Sequence, residues 1–376
     1  MYRIRKAIFR RMLAGCTRKQ KILRLFVMIF RPLLMLFLSV RYAFKFSKRI
    51  AVTCGVNAAG LFLDMLASVN IYNMTPWFYL RYQLYLNENK AKKDSFLYGN
   101  EANVVFLQSN KNTYLDLVDD KTKFYEICGQ SGIAIPAIFG IVERGMPLPE
   151  LPANDVIVKP AHGARGAGIE LWCYKEDGGY EDNSGQKFDV DTFKKYLNEK
   201  ADQVKDRLIL QKRIVTSDQL STLSKNAPVV ARIVTVRDVA GTVSFLNGVM
   251  LIPIGSEFLR PGIIVSPVDQ STGMLTEAVS YGIVRKAYPV HPDTNQPITG
   301  TRVPHWKEAV EAVVKAHSFF PEYFSLGWDV AISDEGPVIL EANKIWDVET
   351  SQRPAGIPLG DTVFSEFCAV IIGKNC

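Results

Sequence analysis

The stretch GWDVAISDEGPVILEAN, residues 327–343, constrains this chain more than any other. Small and apolar residues flank Asp334-Glu335-Gly336 on both sides, as in two antiparallel strands joined by a tight turn. A three-residue loop with Gly336 in the left-handed conformation pairs Ser333 with Pro337, Ile332 with Val338, Val330 with Leu340 and Asp329 with Glu341. Asn343 follows two residues after Glu341, on the same face. Like charges directly opposite each other destabilise a strand pair. A hard cation between them reverses that sign, and Mg²⁺ commonly takes one or two carboxylates completed by substrate phosphates. The other reading, a solvated face with a bulge shifting the register, is disfavoured by the apolar flanks.

A second stretch supplies the opposite charge. DVIVKP (155–160) reads as a buried strand ending at Lys159, and a lysine is costly to bury alone. PAHGARGAG follows, with Gly163, Gly166 and Gly168. Glycines let backbone amides approach an anion and permit positive φ. The lysine precedes its loop, so this is no Walker A sequence. By itself the stretch reads equally well as a hairpin with a glycine turn. Together with the carboxylate pair it forms the other half of a nucleotide–metal site.

The surrounding pattern is mixed α+β with antiparallel sheets. ANVVFLQ (102–108) reads as a strand. DDKTKFYEICGQSGIAIP (119–136) reads as an Asp-capped helix stopped at Gly132. Residues 189–206 read as an amphipathic helix, RLILQKRI (207–214) as a strand, residues 229–253 as a hairpin turning at Ala240-Gly241, and residues 306–320 as a helix. There is no internal repeat. The six cysteines are widely spaced and read as reduced. The four histidines lack zinc-ligand spacing, and no Ser-His-Asp or Cys-His arrangement is evident.

Taken in order, Lys121 in the capped helix, Lys159 with its glycine loop, LILQKRI, ARIVTV and GWDVAISDEGPVILEAN resemble an ATP-grasp enzyme. The similarity is greatest to the sugar-transfer-associated group found with bacterial polysaccharide genes. HPDTNQPITGTRVPHW (291–306) resembles that group too, and the likeness spans roughly residues 110–355. It implies an ATP-grasp fold, two α+β lobes holding ATP between them, with ATP and Mg²⁺ as cofactors. Residues 101–150 would open the catalytic body, 151–215 form the small lobe and 216–376 the large lobe. Lys121 and Lys159 would contact ATP phosphates under the loop of His162, Gly163, Arg165, Gly166 and Gly168. Gln211, with the backbone at Arg213 and Ile214, would read adenine, and Asp218 would hold ribose. Arg232 would stabilise the transferring phosphate; Asp329, Glu341 and Asn343 would hold Mg²⁺. Two departures stand out: Gln211 where many relatives have Glu, and Arg260 where they usually have Asn. Arg165, Arg232 and Arg260 are candidate clamps for a carboxylate or acyl phosphate. The implied reaction joins a sugar acid or glycan carboxylate to an amine or amino acid. A kinase and a non-catalytic scaffold of a glycan-synthesis complex are the rivals, and a homo-oligomer is compatible with each.

The net charge of +7 conceals a segregation. Residues 1–50 hold 14 Lys and Arg and no acid, leaving 31 basic against 38 acidic residues, a net of −7, in the remainder. Within the basic segment, LFVMIFRPLLMLFLSV (25–40) is apolar over 16 residues. As a helix it reaches ~24 Å, short of the ~30 Å hydrocarbon core, and no cleavage site follows it. A helical region over residues 1–100, anchored at an anionic membrane surface through residues 1–50, fits this pattern. A core helix, or one that packs on a partner, is the alternative. The dense apolar residues argue against nucleic acid. The expected location is cytoplasmic, peripheral on the inner face of the bacterial cytoplasmic membrane.

Overall fold

The computed structural model describes residues 17–72, 74–109, 117–163, 166–225, 227–255 and 262–374. Arg165 and Arg260 lie outside the described residues. A helical lobe comes first: α1 (Arg18–Cys54), α2 (Ala58–Ile71) and α3 (Pro76–Arg81). Thr17 caps α1 in a reciprocal capping box with Gln20, and the helix runs through Pro32. Arg31 does not interrupt it, because its guanidinium donates to the carbonyls of Val69 (2.8 Å) and Met74 (3.0 Å) inside the lobe.

The segment expected as a strand at 102–108 is instead α4 (Gly99–Ser109). Its short apolar run fits either element, but Ala102, Val105 and Phe106 fall at helical spacing and are buried together against Trp346 and Phe364. Next, α5 (Lys121–Gln130) is capped by Asp120, whose side chain accepts from the amides of Thr122 and Lys123.

Two antiparallel sheets follow. The small sheet comprises β1 (Ile138–Val142), β2 (Val156–Pro160), β3 (Glu170–Tyr174), β4 (Tyr180–Asp182), β5 (Lys187–Phe188) and β6 (Leu208–Lys212), in the order β1-β6-β2-β3-β4-β5. β1 forms one edge of this sheet by pairing with β6. Val156, Val158, Leu208 and Leu210 bury one face against Phe193, Leu197 and Ala201 of α6 (Val190–Val204). Strand alternation then turns Ile157, Lys159 and Gln211 to the other face.

The large sheet comprises β7 (Val230–Arg237), β8 (Val243–Ile254), β9 (Gly262–Pro267), β10 (Ala278–Ser280), β11 (Ala287–Tyr288), β12 (Ser325–Ser333) and β13 (Gly336–Asn343). Its order is β11-β10-β9-β8-β7-β12-β13. Ala231, Ile233, Trp328 and Val330 pack beneath α7 (Trp306–Ser318). Alternation sends Arg232, Asp329 and Ala331 to the opposite face. The chain closes with α8 (Val348–Gln352) and α9 (Val363–Lys374). Cys54, Cys128, Cys173 and Cys368 carry free thiols.

A buried relay ties α7 to the large sheet. Trp328 Nε1 donates to Thr235 Oγ1 (2.8 Å), which lies 2.7 Å from His317 Nδ1; His317 Nε2 lies 3.0 Å from the Tyr323 carbonyl. This arrangement fits one neutral imidazole, with Nε2 protonated. Burial pushes the His317 pKa down to about 4. The unfolded chain, with a histidine pKa near ~6.5, therefore binds more protons between these values. Stability contributed by neutral His317 is complete above about pH 6.5 and declines as pH falls toward 4. The unfolding free energy is expected to drop by about 3 kcal/mol more in the wild type than in His317→Gln across this window. Urea titrations at several pH values measure the difference, and equal slopes would refute it.

Candidate active site

The two inward sheet faces meet across a cleft of about 480 Å³. Its lining includes the apolar side chains of Ile157, Ile169, Ile214 and Leu340 as well as Lys159, Asp329 and Glu341. Gly166, Gln211 and Arg213 also line it. The glycine loop needs its glycines: Gly166 and Gly168 sit at φ of +71° and +76°, and a Cβ on Gly168 would come 3.0 Å from the Pro160 ring.

The hairpin register differs from the expected one, yet reaches the same pair of acids. The turn has two residues, Asp334 and Glu335, so Ser333 pairs with Gly336, Ile332 with Pro337, Ala331 with Val338 and Val330 with Ile339. A bulge then adds Leu340 to β13 and restores Asp329 opposite Glu341. The Leu340 carbonyl accepts a hydrogen bond from the Tyr125 hydroxyl at 2.7 Å. That hydroxyl also lies 3.1 Å from Gln211 Oε1 and accepts from Lys159 Nζ at 2.6 Å. Tyr125, from α5, thus joins the small-sheet lysine to the large-sheet bulge. It was not evident in the sequence, where it reads as one more apolar position of a helix.

Arg232 supplies part of the cation that the facing carboxylates require. It sits across from Asp329 on β7, its Nη2 lies 3.0 Å from Asp329 Oδ2, and its Nε is also paired with that carboxylate. Arg232 is half-buried, and Asp329 holds its pKa up against that desolvation. Among the described residues, Glu341 has no arginine paired with it as Asp329 has. Burial, then the charge and hydrogen bond of Asp329, push its carboxyl up, while Lys121 and Lys159 pull it down. Burial likewise pushes Lys159 down to about 7, opposed by Glu341 and reinforced by Lys121. Asn343 Nδ2 lies 3.4 Å from Glu341 Oε1. Burial thus disfavours the charged forms of both Glu341 and Lys159.

Other expected residues are placed as follows. Lys121 is buried, and its Nζ donates to the Gly163 carbonyl at 3.0 Å, beside the loop. His162 is engaged by Asp206, through its backbone N–H at 2.7 Å and its Nδ1 at 3.1 Å. Asp218 opens a short helical turn, and its amide donates to Asp334 (3.2 Å); it is not among the cleft-lining residues, whereas Ser221, Ser224 and Lys225 are. No motif in the sequence marks those three, which reach the cleft only through the path of the connection after β6.

The donor set suits a hard cation. Asp329, Glu341 and the Asn343 amide offer oxygen only, and no cluster of three or more His, Cys, Asp or Glu able to hold a metal occurs among the described residues. Such an open, incomplete set fits Mg²⁺ that also takes phosphate oxygens. Removing Arg232 leaves Asp329 as an uncompensated, half-buried charge. Arg232→Met is expected to cost about 3 kcal/mol of stability, with most of it returned in Arg232→Met/Asp329→Asn. Urea denaturation of both variants provides the check; an Arg232→Met protein as stable as the wild type would contradict the pairing.

No curated protein matches the chain. Among solved structures it is similar to D-alanine–D-alanine ligase from Bacillus anthracis complexed with ATP, at 14% identity over 79% of this chain and 85% of that one, with a TM-score of 0.42. It is also similar to L-amino acid ligase from Bacillus licheniformis, at 13% identity over 69% of this chain, with a TM-score of 0.39; it spans 48% of that ligase's length. Biotin carboxylase from Campylobacter jejuni, in a β,γ-ATP complex, gives 14% identity, 73% and 51% coverage and a TM-score of 0.40. At these values the three are similar in outline only. Residues 102–362, more than half of the chain, match the family described as sugar-transfer-associated ATP-grasp, and the chain belongs to that family.

Proposed function

We propose that the protein is an ATP-dependent carboxylate–amine ligase that joins an amine or amino acid to a sugar acid of a bacterial surface polysaccharide or its precursor. The observation that carries this reading is the facing of two charge sets across one cleft: Lys159 on β2, and Asp329 with Glu341 on β12 and β13. The apolar side chains of Ile157, Ile169, Ile214 and Leu340 in the cleft lining suit the flat face of adenine, and the Gln211 side chain, also in the lining, offers an acceptor for an amine. Lys159 and Lys121, beside the glycine loop, suit the phosphates. Mg²⁺ held by Asp329, Glu341 and Asn343 would supply positive charge to the phosphate oxygens.

In the reaction, a substrate carboxylate oxygen bonds to the γ-phosphorus, the bond to the bridging oxygen breaks, and ADP leaves. The amine nitrogen then bonds to the acyl carbon. Phosphate departs with the electron pair of the broken C–O bond, and the amine loses a proton. Neither step needs a covalent nucleophile from the protein; both need positioning and charge stabilisation. That demand suits a site built from lysines, an arginine and paired carboxylates. The sugar-acid partner is favoured by the family's association with sugar transfer.

Purified protein with Mg-ATP, screened against sugar acids crossed with amino acids, is expected to release phosphate only when both an acid and an amine are present. Mass detection should then find the amide. Glu341→Gln is expected to lower the rate at least about a hundredfold, the scale for loss of one transition-state charge stabiliser. Phosphate transfer to a hydroxyl without free phosphate would instead indicate a kinase. Full activity in Glu341→Gln would contradict the site.

A further inference from the structure

The helical lobe precedes the family-matched segment, which begins at residue 102. The inner face of α1 presents Met35, Ser39, Tyr42, Phe46 and Ile50 to α2 and α3, with the pinned Arg31 at its head. The opposite face carries Phe26, Phe30, Leu33, Phe37, Val40 and Phe44, spaced alternately by four and three residues and 46% to 94% exposed. A surface helix of a globular protein ordinarily turns polar side chains outward. This helix is apolar outward as well as inward, along a stripe of ~27 Å. A continuous apolar surface of that kind marks an interaction site.

Charge selects what covers the stripe. Arg18 and Lys19 lie exposed near one end, and Arg41, Lys45, Lys48 and Arg49 near the other. The chain has no acid before Asp64, and Asp64 is already engaged by Lys93 (2.6 Å) and Tyr79 (2.6 Å). A second copy would set the same positive charge against itself. An anionic phospholipid surface offers the opposite charge to the lysines and arginines, and an acyl boundary to the phenylalanines. Among the described residues, no single helix is long and apolar enough to cross a membrane; α1 from Ile29 forms with α2 a pair bent by 120°. Arg31, in the middle of the apolar run, is held by carbonyls inside the lobe, which keeps α1 lying along the lobe surface.

We propose that α1 is an in-plane anchor that seats the protein on anionic phospholipid through the stripe from Phe26 to Phe44. The anchor is continuous with the catalytic body. Ile283 packs in the core of the helical lobe. Arg81 of α3 donates to the Tyr281 carbonyl and pairs with Glu349 of α8. Arg353 donates to the carbonyls of Arg81 (2.7 Å) and Gly282 (3.0 Å). Tyr281 and Gly282 directly follow β10 of the large sheet, so the seated lobe packs against the body that holds the cleft. Anchoring stands or falls independently of the reaction in that cleft.

The test is flotation of the full chain through a density gradient with vesicles of phosphatidylcholine containing about a quarter phosphatidylglycerol. The wild type is expected to float with these vesicles and to bind pure phosphatidylcholine vesicles at least about tenfold more weakly. Phe30→Asp/Leu33→Asp/Phe37→Asp is expected to lose binding to the anionic vesicles at least about tenfold, with an unchanged melting midpoint because all three side chains are exposed. Arg41→Gln/Lys45→Gln/Lys48→Gln is expected to abolish the preference for anionic lipid. Failure of the wild type to float overturns the proposal, as does a triple-aspartate variant that floats like the wild type. A wild-type dimer in sedimentation velocity that the aspartates dissolve also overturns it, because a second copy would then cover the stripe.

Discussion

One bulged residue decides what this cleft can do. A two-residue turn alone would leave β12 and β13 out of step by one position, and a one-residue slip sends side chains to the opposite face. The extra residue Leu340 corrects the step, so that Glu341 faces the same side as Asp329 and Arg232. The bulge also frees the Leu340 carbonyl from the strand ladder, and Tyr125 takes it. Since the same hydroxyl accepts from Lys159, one local irregularity sets the acid pair and fixes the lysine across the cleft.

The resulting charge cluster is only partly balanced. Asp329 is neutralised within the chain by Arg232, whereas Glu341 is pushed toward its proton and Lys159 away from its own. Burial drives both shifts, because low dielectric disfavours either charged form. A polyanion carrying a divalent cation would restore both charges together, phosphate against the ammonium and metal against the carboxylate. The buried backs of both sheets carry the packing, which leaves the facing surfaces to carry unbalanced charge.

The carboxylate pair and Lys159 were legible in the sequence because charged residues interrupt strongly apolar strands. The order of the pieces was legible as well, since the family's motifs occur in sequence along the chain. The register was not: a three-residue turn without a bulge and a two-residue turn with one place Asp329 opposite Glu341 equally, and nothing in the residues distinguishes them. Arg232 was visible as a candidate, but its pairing with Asp329 depends on which strand lies beside β12, a long-range choice. The helix at Gly99–Ser109 differs from the expected strand because a short apolar run fits both periods, although Ala102, Val105 and Phe106 carry the helical one. Tyr125 was hidden because its hydroxyl acquires meaning only when α5 docks between the sheets.

A crystal structure with Mn²⁺ and a non-hydrolysable ATP analogue would locate the metal and the nucleotide together. An anomalous peak is expected within coordinating distance of Asp329 and Glu341, with phosphates against Lys159 and the base beside Gln211. A metal bound elsewhere, or a nucleotide whose phosphates lie away from Lys159 and Glu341, would contradict that arrangement.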